Sequence, residues 1–242
     1  MAIADALGDI SRETVVEIGP GAGAITELLA PRARRLIAIE LDRDLAARLR
    51  AQFPALEIIE ADVLTVDLNT LRREGEKLRV VGNLPYYITS GILLRLFHFN
   101  GFIASAVIMM QREVADRVAA PPGSRDYGLL SATTQLYAKV ERILTLPPSA
   151  FMPPPDVHST VLRLTMRPRF AELGVDPGTF LPFLRQSFAQ KRKTLRKNLR
   201  AAGFNPARIA EALEKAAIPP SARAEELDLE RTAALWTALQ QE

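Results

Sequence analysis

Thr14-Val15-Val16-Glu17-Ile18-Gly19-Pro20-Gly21-Ala22-Gly23 joins a β-branched run to a glycine-rich turn, and Ile25–Leu29 behind it has the apolar spacing of a helix. A strand that ends in glycines and opens a helix is where an open α/β sheet binds a nucleotide-like ligand. Glycine suits the turn because a Cβ would keep the backbone from closing on the ligand, and some of its positions call for positive φ. Gly19, Gly21 and Ala24 satisfy the dinucleotide spacing, and Glu40 ends the next strand about 20 residues on, where an acid grips ribose hydroxyls. A nicotinamide enzyme and an S-adenosylmethionine (SAM) enzyme both want this geometry. The turn alone leaves both open.

Outward from it, short β-branched runs alternate with helical patterns, which is the signature of a parallel sheet built from βαβ units. The candidate strands are Thr14–Ile18, Leu36–Glu40, Leu56–Glu60, Leu78–Val81 and Ile103–Met110, with helices at Ile25–Leu29, Asp42–Phe53 and Ser90–Phe99. Asp42 is suited to cap the second helix. A helix from Gln111, a Pro-Pro-Gly loop at 121–123 and a helix near Leu129–Tyr137 follow, then two strand-like runs, Val140–Leu146 and Thr160–Thr165. Those two runs predict an antiparallel hairpin at the sheet edge. Five prolines between Pro147 and Pro155 keep the connecting loop out of helix and inner strand. Beyond Arg167 the strand patterns stop. Asp176-Pro177 and Asn205-Pro206 each pair an N-cap residue with proline at the first helical position, and Gly203 marks a helix end between them. The tail reads as about four helices, with Leu235, Trp236 and Leu239 packing the last.

A chain of 242 residues with 48% hydrophobic and 24% charged residues has the composition of a globular protein, which argues against disorder, collagen and a coiled-coil rod. With no cysteine it has neither a disulfide framework nor a thiolate metal site. The first residues carry no basic segment followed by an apolar one, and the longest apolar stretch, Phe102 to Met110, is far short of a membrane span. The expectation is a cytoplasmic protein with no membrane partner. Its +3 is unevenly distributed: residues 167–242 hold 13 Lys and Arg against 9 Asp and Glu, leaving 18 against 19 before them. Arg185 to Arg200 contains seven basic residues and no acidic one. His98 and His158 lack metal-ligand spacing, so no metal is expected, and the absence of Walker A and Gly-x-Ser-x-Gly motifs removes support for phosphoryl transfer and triad hydrolysis.

Two further strand ends favour SAM over a nicotinamide. Ala61-Asp62-Val63 places a carboxylate where it can accept a hydrogen bond from an adenine amine, and Asn83-Leu84-Pro85-Tyr86 puts an amide, a rigid turn and an aromatic face together. A hydride-transfer site has no obvious use for that trio, whereas methyl transfer to an adenine amine does. The N6 lone pair is delocalised into the ring, so N6 must be held in line with the methyl and drawn toward tetrahedral geometry. The Asn83 side-chain oxygen and a backbone carbonyl of the turn can accept from the N6 hydrogens and so steer the lone pair. Tyr86 can stack on the base.

At this point the chain resembles the ribosomal RNA small-subunit adenine dimethyltransferases of the KsgA type. The resemblance rests on VVEIGPGAGAITELL, IAIELDRDLAARL, ADVL, GNLPYYI, Gln111-Arg112-Glu113-Val114, Tyr127-Gly128-Leu129-Leu130-Ser131, the run from Pro147 through Phe151 to Ser159, and Phe188 to Arg196. The Phe-x-Pro-Pro-Pro-x-Val-x-Ser segment is its most specific part. What the resemblance implies is a Rossmann-like SAM-dependent methyltransferase sheet over residues 1–168 and a small all-helical RNA-binding domain over 169–242. The implied activity is N6,N6-dimethylation of two adjacent adenines near the 3′ end of small-subunit (16S) rRNA, by a monomer, in ribosome biogenesis. Gly19, with Glu17 and Gly21, would line SAM, Glu40 would hold its ribose, Asp62 and Val63 its adenine. Asn83 would stand between cofactor and target base, with Leu84 and Pro85 shaping its turn and Tyr86 and Phe151 sandwiching the base. Arg112, Lys191, Arg192, Lys193, Arg196 and Lys197 would face RNA, the last five lying with Arg200 along about three helical turns.

Two other readings are carried forward: a large-subunit rRNA adenine methyltransferase of the macrolide-resistance type, and a catalytically weak or silent small-subunit assembly factor. Members of the resembled family carry a Gly-Gln-Asn/His-Phe-Leu segment ahead of the first strand that closes over SAM. Only 13 residues precede Thr14 and they do not contain it, so the expectation is a chain some residues short of a complete enzyme, with reduced hold on SAM.

Overall fold

A computed structural model of the chain describes residues 2–85, 88–152 and 154–241. It divides into two compact units, Met1–Ala115 with Ala138–Met166, and Asp116–Tyr137 with Arg167–Glu242.

The first unit is an open α/β sheet. Its elements are α1 (Ala2–Ala6), β1 (Thr14–Ile18), α2 (Thr26–Leu29), β2 (Arg35–Glu40), α3 (Arg43–Gln52), β3 (Glu57–Glu60), β4 (Leu78–Asn83), α4 (Thr89–His98), β5 (Ile103–Gln111), β6 (Ala138–Leu146) and β7 (Ser159–Met166), with α5 (Arg112–Val118) leading out of it. The strand order is β3-β2-β1-β4-β5-β7-β6. Strands β1 to β5 pair in parallel, and β7 pairs antiparallel with β5 on one side and β6 on the other. Every residue of β1 is buried, as a central parallel strand with both faces covered must be. Val15, Leu29, Leu36, Val81, Val107 and Val161 belong to one core cluster that also takes in Leu7 and Ile10. The Arg163 guanidinium donates to the Ala6 carbonyl at 2.9 Å, tying the end of α1 to β7. The five parallel strands and the late hairpin fall where the β-branched runs predict them. β4 runs two residues further than its apolar run, to Asn83.

The second unit is helical: α6 (Leu129–Tyr137), α7 (Phe170–Leu173), α8 (Pro177–Ser187), α9 (Leu195–Ala201), α10 (Pro206–Lys215) and α11 (Leu229–Gln240). Asp176 accepts from the Thr179 N–H at 3.0 Å, and Asn205 from those of Ala207 and Arg208, so both expected caps form ahead of their prolines. Gly203 takes φ +94° just past α9, a backbone conformation that side-chain-bearing residues rarely adopt. Phe180, Phe183, Leu199, Leu213 and Leu235 fill the core, with Trp236 stacked at 4.8 Å and 31° on Phe183.

Two expectations need correction. Among the described residues the tail holds five α-helices, because the segment between Asp176 and Gly203 is two helices and not one. The basic run is therefore not a continuous helix: α8 stops at Ser187, Lys191, Arg192 and Lys193 lie in a turn, and Thr194 caps α9, its side chain accepting from the Lys197 N–H. The helical unit also takes in residues 116–137, a stretch on the sheet side of the predicted boundary at 168. Tyr127 and Leu136 are buried in its core. That stretch carries Arg117 and Arg125 against Asp116 and Asp126, so the charge of the helical unit stays at +4.

Candidate active site

The register brings four strand ends to one edge of the sheet. Ile18 of β1 lies opposite Ile39 and Gly82, Glu40 opposite Glu60, and Asn83 opposite Met109. Gly19, Glu40, Asp62 and Asn83 thus emerge side by side, as ligands do beyond the carboxyl ends of an open α/β sheet.

The turn after β1 takes φ +64° at Gly19, +59° at Gly21 and +88° at Gly23. It is pinned from the neighbouring strand: the Gly19 N–H donates to the Ile39 carbonyl at 2.9 Å, and the Gly21 N–H to Glu40 Oε2 at 3.1 Å. The other oxygen of Glu40 accepts from the Asp42 N–H at 3.0 Å, so one buried carboxylate bridges the glycine turn and the start of α3. Gly82 is needed for packing. A Cβ there would stand 2.8 Å from the Ile18 carbonyl oxygen, which is backbone and cannot move aside.

Glu17, next to last in β1, is almost fully buried. Its Oε2 accepts from Thr26 Oγ1 at 2.7 Å, while Oε1 has no partner among the described residues. Burial pushes its carboxyl up to about 7, the charge of Glu40 adding to the rise and the Thr26 hydroxyl opposing it. Asp62 is half-buried; its Oδ1 accepts from the Leu64 N–H at 2.9 Å, closing the turn after β3, and Val63 is buried beside it. Asn83 is exposed at the end of β4. Leu84 is buried, its N–H bonded to the Met109 carbonyl at 3.0 Å, and the Pro85 carbonyl accepts from the Ile88 N–H and Thr89 Oγ1. Tyr86 lies outside the described residues.

The loop from β6 to β7 returns to the same edge, since Ser159 lies opposite Gln111. Phe151 in that loop is half-buried and packs against the sheet core. Arg112, exposed at the start of α5, donates its N–H to the His158 carbonyl at 2.9 Å.

Within the helical unit, Lys191, Arg192, Lys193, Arg196 and Lys197 are all exposed. Lys191 Nζ donates to the Arg125 carbonyl at 2.8 Å. The buried Asn198 donates from Nδ2 to the carbonyls of Ser187 at 2.7 Å and Gln190 at 3.2 Å, holding the turn that carries the basic residues.

Thr26, which bonds Glu17, and Asn198, which holds the basic turn, were missed by sequence reasoning. Asn198 had left a signal, a polar residue at an apolar position of α9 between Leu195 and Leu199. Leu41 and Met152, next in the chain to Glu40 and Phe151, are 66% and 97% exposed, which no periodicity would reveal. Among the described residues no three His, Cys, Asp or Glu assemble as a metal site, and no helix is long and apolar enough to cross a membrane.

The edge fits SAM on chemical grounds. Three left-handed glycines leave the turn without side chains. Glu40 and Asp62 retain acceptor lone pairs after bonding backbone, and the buried, unpartnered oxygen of Glu17 lies under a rim rich in carboxylates, which favours a cationic ligand.

Comparison with known proteins agrees. The family model described as ribosomal RNA adenine dimethylase matches residues 2–241. The chain is 65% identical over 241 residues to the ribosomal RNA small subunit methyltransferase A of Acidobacterium capsulatum, covering 98% of this chain and 85% of that protein. It is 56% identical to the protein of that name from Koribacter versatilis, covering 98% and 88%. Among solved structures, the dimethyladenosine transferase from Plasmodium falciparum shares the fold with a TM-score of 0.82 at 24% identity, over 97% of this chain and 92% of that one. The 23S rRNA methyltransferase ErmE has a TM-score of 0.73 at 26% identity, over 99% and 96%. Sheet order, glycine turn and sequence converge on one conclusion: this chain belongs to the ribosomal RNA adenine dimethylase family.

Proposed function

We propose that the chain is a SAM-dependent N6,N6-dimethyltransferase of adenines in small-subunit rRNA, acting in ribosome biogenesis. The observation that carries this reading is the convergence of Gly19, Glu40, Asp62 and Asn83 on one sheet edge in a member of an rRNA adenine dimethylase family. The proteins 65% and 56% identical to it are named for the small subunit, whereas the large-subunit enzyme ErmE stands at 26%.

SAM, when bound, supplies an electrophilic methyl group on a sulfonium. The residues supply position. Gly19 and Gly21 let backbone approach the cofactor. Glu40 accepts from ribose hydroxyls with the lone pairs left by the Gly21 and Asp42 N–H groups, and Asp62 accepts from the adenine amine beside Val63. Asn83 accepts from the N6 hydrogens of the target base. Because the Pro85 carbonyl already accepts two bonds, the Leu84 carbonyl is the second acceptor assigned to N6. Asn83 is uncharged, so it holds the lone pair in line without acting as a strong base. Phe151, with Tyr86, supplies aromatic surface for the flipped adenine, whose extraction costs a few kcal/mol and least for an unpaired base. Arg112 and the exposed cations at 191–197 contact rRNA phosphates. We read the enzyme as a monomer acting in the cytoplasm, where its substrate matures.

Incubation with tritiated SAM and undermethylated ribosomal subunits tests the reading. Label recovered as dimethyladenine in small-subunit rRNA is expected. Label in large-subunit rRNA alone would overturn the substrate, and binding without label would establish an assembly factor instead.

A further inference from the structure

The loop between β6 and β7 treats two neighbouring apolar residues in opposite ways. Phe151 packs against the core of the sheet unit, as do Leu144 and Leu146 of β6. Met152, next in the chain, is 97% exposed, more than any other large apolar side chain among the described residues. A core residue would be inside, and an ordinary loop would carry a polar side chain here.

The mount beneath Met152 is stiff. Pro147, Pro148, Pro154 and Pro155 lock their own φ angles. The Ala150 and Phe151 N–H groups donate to the Pro147 and Pro148 carbonyls at 3.0 and 3.1 Å, closing a 3-10 turn over Pro148–Ala150. The loop lies over the active edge: Asn83 is opposite Met109, Met109 opposite Val161, and Gln111 opposite Ser159, so the chain enters β7 where β4 ends in Asn83. The Arg112 N–H bond to the His158 carbonyl fixes the loop's far end to the same edge.

We propose that Met152 is the wedge that enters the rRNA base stack as the target adenine leaves it. This rests on the functional reading above. Extracting a base leaves a gap between its neighbours, and an apolar side chain inserted there restores the lost contacts and slows the return of the base. A thioether on an unbranched stem suits a gap of irregular shape lined by aromatic faces. Phe151, anchored in the sheet, keeps its place while the exposed tip reaches into the RNA. Met152 is a positioning residue: it acts on the population of extracted adenine and does not touch the reacting atoms.

The test uses small subunits carrying 2-aminopurine, which brightens when unstacked, at the target position, with native subunits for the kinetics. Met152→Ala is expected to cut the fluorescence rise at saturating protein, and kcat on native subunits, by roughly tenfold, the worth of one stacking contact. KM for SAM stays at the wild-type value, and Tm moves by less than about 2 °C because the side chain removed is in water. Met152→Leu, apolar and of similar volume, restores both signals to within about twofold. A wild-type fluorescence rise from Met152→Ala overturns the wedge alone, and so does a Met152→Leu variant as impaired as the alanine one. If the unaltered chain neither methylates nor unstacks small-subunit adenines, the functional reading falls and takes the wedge with it.

Discussion

The turn after β1 and the turn at 188–194 are both tight bends that present chemistry, one in the sheet unit and one in the helical unit. The first is flanked by two buried carboxylates, Glu17 and Glu40. Its backbone is aimed from the neighbouring strand β2, Gly19 bonding the Ile39 carbonyl and Gly21 the Glu40 carboxylate, and Thr26 of α2 bonds Glu17 of β1. The second is basic: Lys191, Arg192 and Lys193 are exposed, Lys191 bonding the Arg125 carbonyl, while Phe188 at its start packs edge-on against Tyr127. Its aim comes from below, through Asn198 holding the Ser187 and Gln190 carbonyls. A buried constellation works by geometry, so one lost atom removes most of the function. An exposed cationic turn works by counterion release, so losses there come in increments and depend on salt.

That contrast breaks most sharply at Asn83. Asn83→Ala should lower methylation of small subunits by at least about 100-fold, as misplacement at a reacting centre does, with little change in subunit affinity. Tritium incorporation under single-turnover conditions checks it, and full activity would remove Asn83 from the mechanism.

Glu17 comes next. Its folded pKa of about 7 lies above the ordinary 4.5, so the folded state holds a proton that the unfolded chain has released. Stability therefore falls as pH rises from about 4.5 to 7 and stays low above that, by up to about 3 kcal/mol. Glu17→Gln, neutral at every pH, should flatten that dependence and gain stability at pH 8. Urea melts between pH 5 and 8 read it, and a wild-type curve already flat would show that the carboxyl is ionised throughout.

Gly82→Ala forces a Cβ to 2.8 Å from the Ile18 carbonyl oxygen. It should cost about 1 to 3 kcal/mol by overpacking, measured as a lower urea midpoint at unchanged slope. The smallest effect belongs to the basic turn. Replacing Lys191, Arg192 and Lys193 with alanine should flatten the log–log salt dependence of subunit binding by about 2, at roughly 0.7 per phosphate contact, and leave the Tm within about 2 °C. An unchanged slope would show that the turn does not meet phosphate.

The sheet was legible because each central strand is buried on both faces and so must be written as a β-branched run, as Thr14–Ile18 is. The glycine turn was legible because its conformations exclude other residues. The caps at Asp176 and Asn205 were legible because capping is local. The bend at 188–194 was not: no glycine or proline interrupts it, and what stops α8 is a tertiary bond from Asn198, four residues into the next helix segment after Thr194. Residues 116–137 misled for a related reason. Ala132 and Leu136 have the i, i+4 spacing of a helix that buries one face, and that spacing is the same whichever core receives it.

The division of the chain has an evolutionary consequence. The backbone crosses between the two units three times, after Ala115, Tyr137 and Met166. A gene fragment ending at Met166 would encode the whole sheet unit together with Tyr127 and Leu136 stripped of their core. The helical unit is thus no cassette for recombination to add or remove in one cut. Its loss by descent would require excising an internal stretch as well as the tail, so the two units are expected to have diversified by substitution in place.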